Sequence, residues 1–317
     1  MGLAMLGAVS QGILWGVMVL GVFITYKLLD IADLTVDGSF ALGGSVCAVL
    51  VVSGVDPVLA IFAAMLAGML AGAVTGFLHT VFEIPAILAG ILTQIALWSV
   101  NLRIMGKSNT PLLRVDTLFS SVTDATGLPQ NVASIIVGLI FAVLIIVALY
   151  WFFGTEIGSA CRATGNNEAM VRALGVDTKV TKMIALTLSN GLVGLSGGLI
   201  CESQGYADIG MGTGAIVIGL AAIVIGEVLG RLTPGKLRSF GSRLTAAVVG
   251  SVVYFLIRAI VLQLGMDAND MKLISAVIVA LALCIPVVWE KYQLRRAYAR
   301  SAKAAPATPA ANSEGGR

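Results

Sequence analysis

Long apolar stretches constrain the fold of this chain more than any other feature of its sequence. Leu59–Leu78 and Val132–Phe153 contain no charged residue, and Leu244–Leu264 is nearly as apolar. Each is close to the roughly 20 residues that a helix needs to cross the core of a bilayer. Only 12% of the 317 residues are charged, against about 25% in soluble domains. The sequence therefore predicts an all-α polytopic membrane protein, surrounded by lipid.

About nine apolar segments approach membrane length, so we expect eight to nine transmembrane segments. Their predicted bounds are 5–27, 37–54, 58–79, 85–102, 131–153, 180–202, 212–229, 243–264 and 271–289. The 37 glycines fit close helix packing in lipid, because small residues let backbones approach. Residues 1–290 are predicted to form one membrane domain, and 291–317 a tail that is basic and then disordered.

Basic residues near the span ends predict the orientation, because Lys and Arg favour the cytoplasmic side. The basic run after Trp289 places the C-terminus in the cytoplasm, and counting back places Gly154–Lys182 there too. The loop Gly265–Asp270, which has no Lys or Arg, and the N-terminus are then expected outside. Arg103–Gln130 also falls outside, where we expect it to fold over the outer mouth.

Gly154–Lys182 is the longest well-charged segment between two hydrophobic spans, and we interpret it as one short helix. Asn166 or Asn167 is predicted to N-cap this helix. Glu168 would lie in its first turn, and Gly175 would end it in a left-handed conformation. About eight helical residues span about 12 Å, which is too short to cross a bilayer.

One face of this predicted helix is apolar. Met170, Ala173 and Leu174 share that face by their spacing, and Arg172 lies on another. Such a helix suits docking into a groove on another protein. The alternative is an ordinary solvated helix in a loop.

Two segments differ from uniform membrane spans. Leu29–Ser45 places three aspartates before a run of glycines, and Tyr206–Glu227 places three glycines before a short apolar helix. Glycine-interrupted segments at corresponding places in two halves indicate broken helices that meet near the membrane midplane. We expect Asp37 to N-cap a helix that begins at Gly38. The alternative is an ordinary cytoplasmic turn in the first segment and an ordinary outer loop in the second.

Several kinds of site are absent from the sequence. His79 is the only histidine, and the four cysteines lack metal-like spacing, so we predict neither a metal site nor a catalytic residue. The chain has no P-loop and no basic domain for nucleic acid. No carboxylate lies unambiguously within a span, which disfavours a proton-coupled transporter.

Four stretches make the chain resemble the permease subunits of ABC importers in the branched-chain amino acid permease-like family. The subgroup associated with tryptophan/tyrosine-type uptake is the most similar. The stretches are LDIADLTVDGSFALGG (29–44), IPAILAGILTQIALWSVNLRIMGKSN (84–109), GTEIGSACRATGNNEAMVRALGVDT (154–178) and GYADIGMGTGAIVIGLAAIVIGE (205–227). The resemblance covers roughly residues 10–290, and the Ala/Pro-rich tail departs from it.

The resemblance implies that the segment 154–182 contains a short cytoplasmic coupling helix, which docks on a separate ATP-hydrolysing subunit. The residues assigned to coupling are Arg162, Gly165, Asn166, Asn167, Glu168, Ala169, Arg172 and Gly175. It also implies a homodimer of permeases in the bacterial inner membrane, with two ATPases and an extracytoplasmic solute-binding protein. The chain itself would be non-catalytic and bind no cofactor, because its partner uses the ATP and Mg²⁺. The solute would be an amino acid or a similar small molecule.

The first and fourth stretches match the segments that line the family's translocation path. The residues assigned to the path are Asp33, Asp37, Gly38, Ser39, Gly212, Thr213 and Gly214. If both helices are broken, their free backbone N–H groups favour an anionic group such as an amino acid carboxylate. The alternative is a path without a binding site, in which the external binding protein makes the whole selection.

Two other classes of function compete with an importer subunit. An ion-coupled secondary transporter would use carboxylates inside the membrane and would need no ATPase. An intramembrane enzyme would need a cluster of catalytic side chains within the spans, and the sequence contains none.

Overall fold

The computed structural model of the chain describes residues 2–113, 115–232, 239–264, 273, 275–281, 284 and 291. Helices dominate this described part, together with two three-residue strands. The elements are α1 Gly2–Phe23, α2 Thr35–Val52, α3 Pro57–Thr80, α4 Ala86–Met105, β1 Asn109–Pro111, α5 Leu118–Thr126, α6 Gln130–Phe152, α7 Glu156–Asn166, α8 Glu168–Ala173, α9 Thr178–Gln204, β2 Tyr206–Asp208, α10 Ala215–Leu232 and α11 Phe240–Gln263. A π-helical turn, Ile24–Leu28, prolongs α1.

Seven helical segments of the described chain are long and apolar enough to cross a membrane. They are α1 with its π-helical turn, α2, α3, α4, α6, α9 and α11, which confirms the predicted all-α polytopic fold. The predicted span 212–229 corresponds to the shorter apolar helix α10. The loop 265–270, most of the span 271–289 and nearly all of the tail 291–317 lie outside the described residues.

Both predicted breaks contain irregular backbone. Residues 29–34 separate the first span from α2, and Asp30 there has a positive φ of 56°. The predicted start of the second helix at Gly38 is wrong, because α2 begins at Thr35 and Asp37 lies inside its first turn. Residues 209–214 precede α10, and Gly214 has a φ of 82°.

Glycines bring backbones into contact at several places, and two of these we call the first and second glycine seams. In the first seam, between α2, α3 and α9, a Cβ on Gly43 would collide with the backbone of Gly194, which also abuts Gly68. In the second seam, between α10 and α11, a Cβ on Gly250 would collide with the backbone of Ala222 and Gly226. Both seams fit the predicted use of small residues for close packing in lipid.

The polar segment between α4 and α6 lies across one end of α9. Strands β1 and β2 pair antiparallel with Asn109 opposite Asp208. The carboxylate of Glu202, near the end of α9, accepts a hydrogen bond of 2.8 Å from the backbone amide of Leu118, the first residue of α5. This segment therefore covers the end of the bundle opposite α7 and α8, while its placement outside the cell stays a prediction.

Candidate functional site

The predicted coupling segment contains two helices, so the interpretation as one short helix is wrong. Asn167 separates α7 from α8, because its backbone is extended (φ −157°, ψ 93°). The side-chain oxygen of Asn167 accepts a hydrogen bond of 3.0 Å from the amide of Met170, which makes Asn167 the N-cap of α8. Asn166 is the last residue of α7. The left-handed stop is confirmed, since Gly175 has a φ of 84°.

Glu168 connects α8 to the beginning of α9. Its carboxylate accepts hydrogen bonds from Arg172 at 2.6 Å, Lys182 at 2.7 Å and Thr178 at 3.0 Å. The hydrogen bond from Lys182, followed by that from Thr178 and by the charges of Lys182 and Arg172, holds the pKa of Glu168 below its ordinary value of 4.5. These hydrogen bonds tie α8 to the first two turns of α9. Arg172, which we expected to face a partner, is engaged within its own chain but keeps 64% of its side chain exposed.

The apolar face predicted for this region lies on the surface. Met170 and Leu174 are 50% and 74% exposed, and Ala173 between them is exposed as well. Val171 is buried and holds α8 against the rest of the chain. The exposed face thus has room for a partner.

The remaining residues assigned to coupling divide into two groups. Asn166 and Ala169 are exposed, whereas Arg162 and Gly165 are partly buried and make internal contacts. The guanidinium of Arg162 lies 5.5 Å from the centre of the Phe240 ring. Gly165 leaves room for the backbone of Leu28, which a Cβ would strike. These two residues fasten α7 to the membrane helices.

Asp33 and Ser39 meet at Asn190, halfway along α9. The Asp33 carboxylate accepts hydrogen bonds from the backbone amide of Thr35 at 2.9 Å and from the Asn190 side chain at 2.6 Å. The Ser39 hydroxyl donates to the Asn190 side-chain oxygen at 2.7 Å. All three side chains are buried. Asn190 was not among the predicted path residues, although a polar amide within the predicted span 180–202 was a signal.

Asp37 caps α10 rather than its own helix. Its carboxylate accepts hydrogen bonds from the backbone amides of Gly214 at 2.9 Å and Ile216 at 3.0 Å. The expectation that this helix end offers free N–H groups to a solute is wrong for these two amides, because a side chain of the chain itself occupies them. Gly212 allows the approach, since a Cβ there would strike the backbone of Asp37. Gly38 similarly admits Leu97 of α4.

A cavity of about 740 Å³, which we call the outer cavity, lies beside this contact, on the β2 side of the bundle. Thr213 and Gly214 line it, while Asp33, Asp37, Gly38, Ser39 and Gly212 do not. Its wall also includes Trp15, Phe40, Tyr206, Asp208 and Arg258. We missed Arg258, although a lone arginine within an apolar span was a signal.

Comparison with known proteins extends these observations. The family described as "Branched-chain amino acid transport system / permease component" matches residues 4–284. The tyrosine transport system permease protein of Clostridioides difficile (strain R20291) is 38% identical over 86% of this chain and 88% of its own length. The uncharacterized protein RP368 of Rickettsia prowazekii (strain Madrid E) is 31% identical over 87% and 95%, respectively. The ribose import permease protein RbsC of Escherichia coli (strain K12) is 30% identical over about half of each chain. No solved structure matches the chain significantly.

Proposed function

Because the chain belongs to the family of permease components of branched-chain amino acid transport systems, we propose that it is the membrane subunit of an ATP-driven ABC importer. The link from the exposed face of α8 through Glu168 to α9 carries this proposal. It offers a docking surface on a segment that is tied to a membrane helix.

The ATPase is a separate subunit that docks on α8. Met170, Ala173 and Leu174 supply the apolar part of the contact, and the neighbouring basic side chains supply charge. ATP and Mg²⁺ belong to that subunit. A groove on each half of an ATPase dimer would seat one α8, so the importer contains two copies of this chain.

The solute is an amino acid, and the tyrosine system permease among the relatives favours an aromatic one. An extracytoplasmic binding protein delivers it to the face of the bundle that carries β1, β2 and α5. The chain resides in the bacterial inner membrane with its C-terminus in the cytoplasm.

An ion-coupled secondary transporter is the second candidate. The buried position of Asp33 beside Asn190, halfway along α9, is the observation that favours it. One observation argues against this candidate. The carboxylates of Asp33 and Asp37 both accept hydrogen bonds from backbone amides of the chain, so both already have a structural role.

Reconstitution into proteoliposomes, with an ATPase subunit and a solute-binding protein from the same bacterium, separates the two candidates. We expect uptake of labelled aromatic amino acids that requires ATP on the ATPase side and continues after ionophores collapse all ion gradients. Uptake that follows an ion gradient without ATP would contradict the proposal.

A matched pair of variants tests the docking surface in the same vesicles. Leu174→Glu should abolish uptake, because it places a charge in the apolar contact with the ATPase. Leu113→Glu makes the same change at an equally exposed site (77% against 74%) at the opposite end of the bundle. Because the proposed binding protein docks on that face, this control is compared by binding of the ATPase to the permease, which Leu113→Glu should leave intact and Leu174→Glu should abolish. Equal binding of the ATPase by both variants would remove α8 from the ATPase contact.

A further inference from the structure

We propose that the outer cavity is a solute-binding site of the permease itself, for a zwitterionic amino acid with an aromatic side chain. Arg258 binds the carboxylate of the solute, Asp208 binds its ammonium group, and Trp15 and Tyr206 contact its ring. The aromatic class rests on the proposed function, whereas the two charged contacts follow from the cavity alone.

Arg258 makes no ion pair with any residue that the structure describes. It lies in α11, within one of the seven candidate membrane spans. The ion pairs among the described residues join Lys27 with Glu227, Glu168 with Arg172 and Lys182, and Glu83 with Lys179, and none includes Arg258. The guanidinium carbon of Arg258 lies over the face of the Phe255 ring, 5.7 Å from its centre. A charged side chain inside a membrane span is costly unless it has a partner or a function. An anionic group in the cavity would supply the partner.

Asp208 provides the opposite charge in the same cavity. It ends β2, and one carboxylate oxygen accepts a hydrogen bond of 2.8 Å from the backbone amide of Gly210. It makes no ion pair with Arg258 or with any other described residue. The cavity therefore presents a separated cation and anion, which an α-amino acid would match with its own two charges.

The apolar part of the wall combines aromatic side chains with the aliphatic side chains of Ile200, Met211, Val217 and Ile218. The Trp15 ring lies 4.7 Å from the Phe40 ring and 5.5 Å from the Phe255 ring, centre to centre. Trp15 is only 8% exposed, and its indole Nε1 is buried without a hydrogen-bond partner. The volume of about 740 Å³ falls within the range of roughly 300–1,000 Å³ typical of small-molecule sites.

Binding to the permease–ATPase complex in nanodiscs, without the binding protein, tests the site. The probe is labelled tyrosine, and two competitors each lack one of its charged groups. Tyramine lacks the carboxylate, and 3-(4-hydroxyphenyl)propionate lacks the ammonium group. Wild type should prefer tyrosine to both. Arg258→Gln should weaken tyrosine binding about tenfold or more and remove the preference over tyramine. Asp208→Asn should remove the preference over the propionate.

Two further variants control for folding. Arg258→Lys keeps the charge, so it should bind tyrosine more tightly than Arg258→Gln does, although it lacks the paired contact of a guanidinium. Arg103→Gln makes the same change at an exposed arginine of α4 that does not line the cavity, and it should bind as wild type does.

The outcomes of this experiment distinguish a failure of the proposed binding site from a failure of the proposed importer function. Saturable binding with these preferences supports the site, even if the same complex shows no ATP-driven uptake, which would overturn only the importer. No saturable binding by wild type, or unchanged preferences in Arg258→Gln, would overturn the site. If ATP-driven uptake persists in that case, the importer stands and selection lies with the binding protein.

Discussion

Asp37, in the first turn of α2, is bonded to Gly214, in the irregular segment before α10, because the Asp37 carboxylate accepts a hydrogen bond of 2.9 Å from the Gly214 amide. A second bond from the Ile216 amide, at 3.0 Å, completes the cap of α10. A carboxylate at a helix N-terminus satisfies free amides and opposes the positive end of the helix dipole. The start of α10 is thus fixed to the first turn of α2, next to the outer cavity.

Removal of this cap should destabilise the permease. Asp37→Ala is expected to cost about 0.5–2 kcal/mol, the usual effect of losing an N-cap side chain, and Asp37→Asn should cost less because one acceptor oxygen remains. Thermal unfolding of the purified chain in detergent measures the difference. Asp124→Ala, at an exposed aspartate of α5, serves as the control. A melting temperature of Asp37→Ala equal to that of the control would contradict the cap.

The first glycine seam should tolerate no side chain. Gly194→Ala would push a methyl group against Ala64 and Gly68 of α3, so we expect a loss of about 1–3 kcal/mol by overpacking. Gly7→Ala makes the same change in α1, where a Cβ meets nothing within 4 Å, and should be neutral or slightly stabilising. Urea unfolding of both variants in the same detergent checks this contrast.

A bulky acid in the coupling segment should uncouple ATP hydrolysis from transport. We expect Gly175→Glu and Arg172→Glu to insert into the membrane normally and to lose ATP-driven uptake. Gly175 holds a positive φ of 84°, and Arg172 bonds Glu168, so both changes alter α8. Gly106→Glu controls for the strain of the backbone, because Gly106 has a similar φ of 66° at the end of α4 far from α8. It should insert normally and should bind the ATPase as wild type does. Normal uptake in both coupling variants would refute the assignment.

The contacts of Glu168 should depend on pH in a defined direction. Because the pKa of Glu168 lies below 4.5, its contribution to stability is complete above that pH and is lost as the pH falls through the lowered pKa. Hydrogen exchange of α8 should therefore be faster in Glu168→Gln than in wild type at pH 7, and the difference should vanish at strongly acidic pH. Glu156→Gln, at an exposed glutamate of α7, should match wild type throughout.

Cysteines at two path positions should react differently. In a background without Cys47, Cys161, Cys201 and Cys284, Thr213→Cys should be labelled by a water-soluble thiol reagent, because Thr213 is exposed and lines the outer cavity. Ser39→Cys should stay inert in the conformation described, since Ser39 is fully buried against Asn190. Labelling of Ser39→Cys that depends on the ATPase's nucleotide state would support a path lining. Inert cysteines at both positions in every state would refute the assignment of both to the path.

The sequence predicted the parts of this fold that depend on local composition. Apolar length located seven spans, and Gly175 was recognised because a left-handed helix end favours glycine. The sequence did not predict which residues contact each other when they lie far apart along the chain. Asp37 was expected to cap the nearest helix, whereas its carboxylate reaches amides 177 and 179 residues away. Arg258 escaped notice for a related reason, since only the packing of α11 places it in a cavity with Asp208.

The two glycine seams also determine how such a bundle can move. Helices whose backbones touch leave no gap for sliding, so α2, α3 and α9 form one rigid block, and α10 and α11 form another. The outer cavity lies between them, with Phe40 and Ile200 on one wall and Val217 and Arg258 on the other. Helix α1 joins the two blocks, because Gly12 abuts the backbone of Val252 in α11 and Gly21 abuts the backbone of Ser189 in α9. Together with the cap of α10 by Asp37, these contacts close the bundle around the outer cavity, so a change in its width requires the helices themselves to repack.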